Sequence, residues 1–155
     1  MAPRLNYAKA FPEGIHALLN LGKVIGAAGL EPSLQELVKT RASQMNGCAY
    51  CIDMHTRDAR AAGETEQRLY ALSAWRETPF FTPRERAALA WTEALTNIQQ
   101  GHAPDDVYEE ARREFDEAEL VKLTLAITQI NAWNRIALGF RAEPGSYRPA
   151  ARTSA

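Results

Sequence analysis

Residues 37–63 read LVKTRASQMNGCAYCIDMHTRDARAAG. Leu37, Val38, Arg41, Ala42 and Met45, with Leu34 before them, recur at the three- and four-residue spacing of one helix face. Asn46-Gly47 stops that helix, because glycine enters the left-handed region without steric cost. A second helix starts at once, around Cys48, and runs to Ala62, with Gly63 ending it. Upstream, Ser33 reads as the N-cap of the first helix, and Glu36 three residues on completes a capping-box pattern. The stretch is therefore a helical hairpin turning at Gly47. Its second arm opens on both cysteines of the chain.

Helix signals continue on either side. Pro12 stands at a first helical position, and Ile15, Leu18, Leu19, Val24 and Ile25 form an apolar stripe ending near Gly29. Thr65 opens a helix with Leu69, Leu72 and Trp75 inward. Thr82-Pro83-Arg84-Glu85 combines a cap, a proline at the first position and a glutamate three residues after the cap. Asp105 and Asp106 begin a short helix through Val107 and Tyr108. Asp116 to Phe140 reads as one long helix, apolar on more than one face, which predicts either a central core helix or a subunit interface. No segment has a convincing strand pattern. The expectation is an all-α fold of about six to seven helices built around the CxxC-bearing hairpin. It forms one domain over residues 1–142, with its core at about 30–140. Pro144, Gly145 and Pro149 mark residues 143–155 as a mobile tail.

Composition narrows the function classes. The chain has 155 residues, long enough to bury a core without a disulfide or metal. With 18 basic and 19 acidic residues its net charge is -1, so nothing argues for a nucleic-acid surface. The longest uncharged run, Leu123 to Asn134, is short for a membrane span and contains Thr124, Thr128, Gln129, Asn131 and Asn134. The opening MAPRLNYAKAFPEG lacks the apolar run of a signal peptide, so a cytoplasmic location is expected. Cysteines there are normally reduced. A close pair is then catalytic, redox-active or metal-binding more often than structural.

On a helix turning roughly 100° per residue, Cys51 lies at about -60° and His55 at about -20° from Cys48, so all three share one face. Residues three apart on a helix have Cβ atoms about 5–6 Å apart, whereas disulfide Cβ atoms sit about 3.5–4.5 Å apart. A Cys48–Cys51 bond is reachable with a local adjustment at the helix start and is somewhat strained, which suits a cycling pair. Two effects can activate a thiol. Cys48 stands at a helix N-terminus, which favours a thiolate. Cys51 has His55 one turn on, within reach of its proton directly or through a water. The two effects nominate different cysteines, and spacing alone does not choose. Glu36, across the hairpin, is placed to orient His55 and hold its tautomer.

Other readings attach to the same residues. Both cysteines fit a core as small apolar side chains. Cys48, Cys51, His55 and Glu36 are also a zinc-competent set, although one helix face splays such ligands poorly. Glu36 fits a capping or solvent-facing carboxylate, and Tyr50 fits simple packing. Asp53, Arg57, Asp58 and Arg60 read as a solvated face with local ion pairs. Trp75, Trp91 and Trp133 read as core, and His16 and His102 receive no role.

Glu36, eleven intervening residues, Cys48-Ala49-Tyr50-Cys51, three more and then His55 resembles the signature of AhpD-like alkylhydroperoxidases of the carboxymuconolactone decarboxylase superfamily. LVKTRASQMNGCAYCIDMHTRDARAAG is similar to that family's core, and INAWNRIA near the end is similar to its last core helix. The likeness covers roughly residues 30 to 140. It implies an all-helical fold, assembly into homotrimers or homohexamers, and reduction of a peroxide substrate by thiols. It also implies roles: Cys51 peroxidatic, Cys48 resolving, His55 and Glu36 a proton relay. No bound cofactor is implied; an external dithiol, in the family a lipoyl-bearing protein, serves as electron donor. The best-known members carry a histidine immediately before the second cysteine, where this chain has Tyr50, a poor base near neutral pH. A general disulfide oxidoreductase and a non-catalytic redox-sensing oligomer are the alternatives. The lactone decarboxylase branch lacks the cysteine pair, so Cys48 and Cys51 argue against that activity.

Overall fold

A computed structural model describes residues 2–149, and among these residues it contains eight α-helices and no strand. They are α1 (Tyr7–Ala10), α2 (Pro12–Gly26), α3 (Pro32–Asn46), α4 (Ala49–Ala61), α5 (Glu66–Ala71), α6 (Pro83–Thr96), α7 (Asp105–Glu114) and α8 (Glu117–Phe140), with a 3₁₀ segment at Leu72–Glu77. Among the described residues, no helix is long and apolar enough to cross a membrane.

The hairpin forms between α3 and α4. Gly47 adopts φ 68°, and its N–H donates to the Gln44 carbonyl while the Cys48 N–H donates to Ser43. Those bonds satisfy carbonyls that the end of α3 would otherwise leave bare. Cys48 is extended and is itself the N-cap of α4, its sulfur accepting the Cys51 N–H at 3.4 Å. The expected local adjustment at the helix start is this non-helical Cys48.

The start of α3 differs from expectation. Pro32, after Glu31, occupies the first turn, no side chain caps the helix, and Ser33 lies inside it. Proline's fixed φ and missing N–H suit the first helical position, so the helix begins before Ser33 and no capping box forms. Glu36 is thereby free to face α4. Capping boxes do form at Thr82/Glu85 and at Asp116/Glu119.

Helix α3 is the central element and packs against α4, α6 and α8. Leu34 and Val38 join Ala88, Trp91, Phe115, Leu123 and Ile127 in one core. Leu37 joins Leu72, Trp75, Phe81 and Leu89 in another. A third, small core of Ala42, Cys48, Cys51, Ile130 and Ala137 sits between the hairpin and α8. Asn134, fully buried, fixes that junction by donating to Ser43 Oγ at 3.0 Å and accepting from Asn46 Nδ2 at 2.8 Å.

Helix α8 is a core helix on one side and open on the other, where Val121 is 59%, Leu125 41% and Leu138 46% exposed. The apolar stripe of α2 is not sealed within this chain: Ile25 is buried, but Leu19 and Val24 are exposed. One side-chain bond, Gln129 Nε2 to the Leu18 carbonyl at 2.9 Å, links α2 to α8. Of the tail expected to be mobile, residues 143–149 run over α4 without helix, and residues 150–155 lie outside the described residues. The Gly145 N–H donates to Asp53 Oδ2 at 2.9 Å, and the Tyr147 hydroxyl to Asp58 Oδ1 at 2.7 Å.

Candidate active site

Glu36 projects from α3 toward His55 on α4, and His55 Nδ1 lies 2.9 Å from Glu36 Oε2. The other carboxylate oxygen accepts from Lys39 Nζ at 2.8 Å. Burial alone would push the Glu36 carboxyl up, but the hydrogen bond from His55 and the Lys39 ammonium outweigh it and hold it below its ordinary value. Glu36 is therefore ionised near neutral pH. An ionised carboxylate only accepts, so Nδ1 carries a proton and the other ring nitrogen, Nε2, is the one that can exchange a proton with a substrate or a thiol.

Cys48 and Cys51 are joined in a disulfide, with Cα atoms 5.4 Å apart. Both are deeply buried in this chain. They differ in what they face. A cavity of about 1060 Å³ opens between α2, α4 and α8, and Cys51 lines it while Cys48 does not. Its walls include Ile15 and Leu19 from α2, Tyr50, Met54 and His55 from α4, and Ile130 and Trp133 from α8. The incompletely covered stripe of α2 is one wall, which is why it reads as amphipathic without being buried. Tyr50 and Trp133, read from sequence as packing, both face this space; Trp75 and Trp91 are buried as expected.

The structure brings the four sequence-predicted residues together as two pairs, Glu36 with His55 across the hairpin and Cys48 with Cys51 at the start of α4, and one member of each, His55 and Cys51, lines the cavity. Asp58 needs correction. Its neighbours Asp53 and Arg57 do form a surface pair at 2.7 Å, but Asp58 is half-buried and lines the cavity. Burial holds its carboxyl above the ordinary value, and the Glu36 charge adds to this, against the lowering effect of the Tyr147 hydrogen bond. The signal was available, since residues three apart share a helix face and Asp58 follows His55 by three. Tyr147 had no local signal; its burial, together with Asp58, pushes its own hydroxyl pKa up. Among the described residues, Glu36, His55 and Asp58 present ligand atoms within 4.8 Å of one another, the spacing a bound cation needs. The cysteine sulfurs, bonded to each other, are not part of that group.

The sequence profile described as Carboxymuconolactone decarboxylase family matches residues 12–94. YdfG of Bacillus subtilis, itself uncharacterised, is 47% identical over 144 residues, covering 92% of this chain and 98% of YdfG. A crystal structure from Agrobacterium tumefaciens, of a protein of unknown function named for the antioxidant defence protein AhpD, superposes with a TM-score of 0.91 at 46% identity. It covers 94% of this chain and 100% of that one. The debrominase Bmp8 shares the fold, with a TM-score of 0.80 at 21% identity over 89% of this chain and 74% of its own. With the profile spanning the hairpin and a relative matched almost end to end, the chain belongs to the carboxymuconolactone decarboxylase family, as an AhpD-like member.

Proposed function

We propose that this protein is a thiol-dependent peroxidase working through the Cys48/Cys51 pair. One observation carries the reading: Cys51, and not Cys48, lines the cavity beside an imidazole whose Nδ1 is tied to the ionised Glu36. This supports Cys51 as the attacking thiol, which helix-end activation of Cys48 had left open. In the reduced enzyme His55 Nε2 takes the Cys51 proton, and Glu36 stabilises the imidazolium that forms. The thiolate sulfur attacks one peroxide oxygen and the O–O bond breaks. The departing alkoxide takes the proton back from His55 and leaves as an alcohol, while Cys51 becomes a sulfenic acid. The Cys48 thiol then attacks the Cys51 sulfur, expelling water and forming the disulfide. An external dithiol, for which a lipoyl-bearing protein is the candidate class, returns two electrons by exchange. The first attack needs no cofactor bound by the chain.

The fold does not choose this chemistry, since structural neighbours include a debrominase. The redox pair and the Glu36–His55 pair are what support it. The test is turnover of hydrogen peroxide and cumene hydroperoxide with dithiothreitol, dihydrolipoamide and reduced thioredoxin as donors. Peroxide-dependent oxidation of at least one donor is expected. Disulfide exchange with these donors and no peroxide consumption would transfer the assignment to a disulfide oxidoreductase.

A further inference from the structure

After α8 the chain returns over α4 and is held there at two carboxylates one and a half turns apart. The Gly145 N–H meets Asp53, and the Tyr147 hydroxyl meets Asp58 at 2.7 Å. Tyr147 then lines the same cavity as Cys51 and His55. The other described lining residues stand on α1, α2, α3, α4 or α8, whose backbone hydrogen bonds fix their positions. Tyr147 alone among them comes from a segment without regular structure. It also belongs to none of the three core clusters. Moving it breaks a side-chain hydrogen bond and not a helix, so its opening costs less than that of the walls on α2, α3, α4 and α8.

We propose that Tyr147 is a specificity-determining residue: pinned by Asp58, its ring is the movable wall of the cavity and sets the size of molecule that reaches Cys51. The ligand class that fits has an apolar, ring-sized body packing against Tyr147, with its reactive end at the thiol. A small hydrophilic molecule passes the wall without touching it. The proposal rests on Cys51 as the reactive thiol and not on the peroxide itself.

The test uses the full chain, reduced with dithiothreitol and freed of it, and reads Cys51 alkylation by peptide mass spectrometry. The probes share one chemistry and differ in bulk: N-methylmaleimide and N-(1-pyrenyl)maleimide. Tyr147→Ala removes ring and pin together, while Tyr147→Phe keeps the ring and removes only the pin. The expected result for Tyr147→Ala is a rise of about tenfold in the pyrenyl-to-methyl rate ratio, with the methyl rate changing less than about twofold. Tyr147→Phe should give a smaller rise of the same sign, and being nearly isosteric it carries the test should the alanine variant fold poorly. An unchanged ratio in the phenylalanine and alanine variants, or equal acceleration of both reagents, would overturn the proposal, the latter pointing to general loosening. A shifted ratio without peroxide turnover would support the wall and refute the peroxidase. Turnover with an unshifted ratio would do the reverse.

Discussion

Glu36 owes its charge, and its usefulness, to its neighbours. Facing solvent it would be an ordinary carboxylate; between His55 and Lys39 it is a half-buried anion that fixes which ring nitrogen faces it. Glu36→Gln keeps the shape and removes the charge. Its expected effect is a raised apparent thiol pKa and slower Cys51 alkylation near neutral pH, largely recovered at high pH where the thiol ionises unaided. His55→Ala should act in the same direction more strongly, and the double variant should be little worse, because members of one relay are not additive. Additive losses in pH-resolved alkylation would show that Glu36 acts elsewhere. The same carboxylate has a stability signature. Its folded pKa lies below the ordinary 4.5, so its contribution is complete above that value and is lost as pH falls through the folded one. Urea unfolding of wild type and Glu36→Gln should show a difference at about pH 5 that shrinks as the pH falls further through the folded pKa of Glu36. A difference that grew below about pH 5 would contradict the assigned direction. The two cysteines separate by trapping: Cys48→Ser should stall as a sulfenic acid on Cys51 after one attack, and Cys51→Ser should not react. Labelling of Cys48 by a sulfenic-acid trap in the Cys51→Ser variant would reverse their roles.

At the scale of elements, the hairpin turn decides the site. Two glycines separate what a turn needs from what a helix merely tolerates. Gly47 sits at φ 68°, between the last residue of α3 and the cap of α4. A side chain there meets no neighbouring atom but is strained by its backbone. Gly47→Ala should therefore destabilise by about 1 kcal/mol and loosen the pairing of Glu36 with His55. Gly26, at the end of α2, has an ordinary φ and open space around it. Gly26→Ala should be neutral or stabilising by up to about 1 kcal/mol, through a stiffer unfolded chain. Chemical denaturation of both variants checks the contrast, and equal losses would mean that the backbone angle at Gly47 does not set its requirement for glycine.

For the whole molecule, the uncovered surface is as informative as the core. Val121, Leu125 and Leu138 on α8 and Leu19 and Val24 on α2 leave apolar side chains facing out of two helices. A single small chain rarely leaves so much of its longest helix uncovered. We propose a homo-oligomer, a trimer or hexamer in keeping with the AhpD-like family, which covers these faces. Light scattering at micromolar concentration should give a mass several times 17.2 kDa, and a mass near that value would refute it. Assembly would also bear on the cavity, since α2, one of its walls, buries only Ile25 within this chain.

The sequence by itself determined what depends on neighbours along the chain. Helix spacing, the glycine stop at Gly47, the cap signal at Thr82, and the placement of Cys48, Cys51 and His55 on one face all follow from local geometry. It misjudged the cap at Ser33 because Pro32 competes for the same turn, and only the built helix shows which wins. Contacts between distant segments were beyond it. That Glu36 reaches His55 could be suggested by a hairpin, but the 2.9 Å bond depends on how α3 and α4 pack. That Cys51 and not Cys48 lines the cavity depends on α2 and α8, which are remote from it in sequence on either side. Tyr147 meets Asp58 across 89 positions with no periodicity to announce it. Local patterns fix elements because their interactions span a few residues. The cavity and its wall are properties of packing, where the partners of a side chain are set by the path of the whole chain.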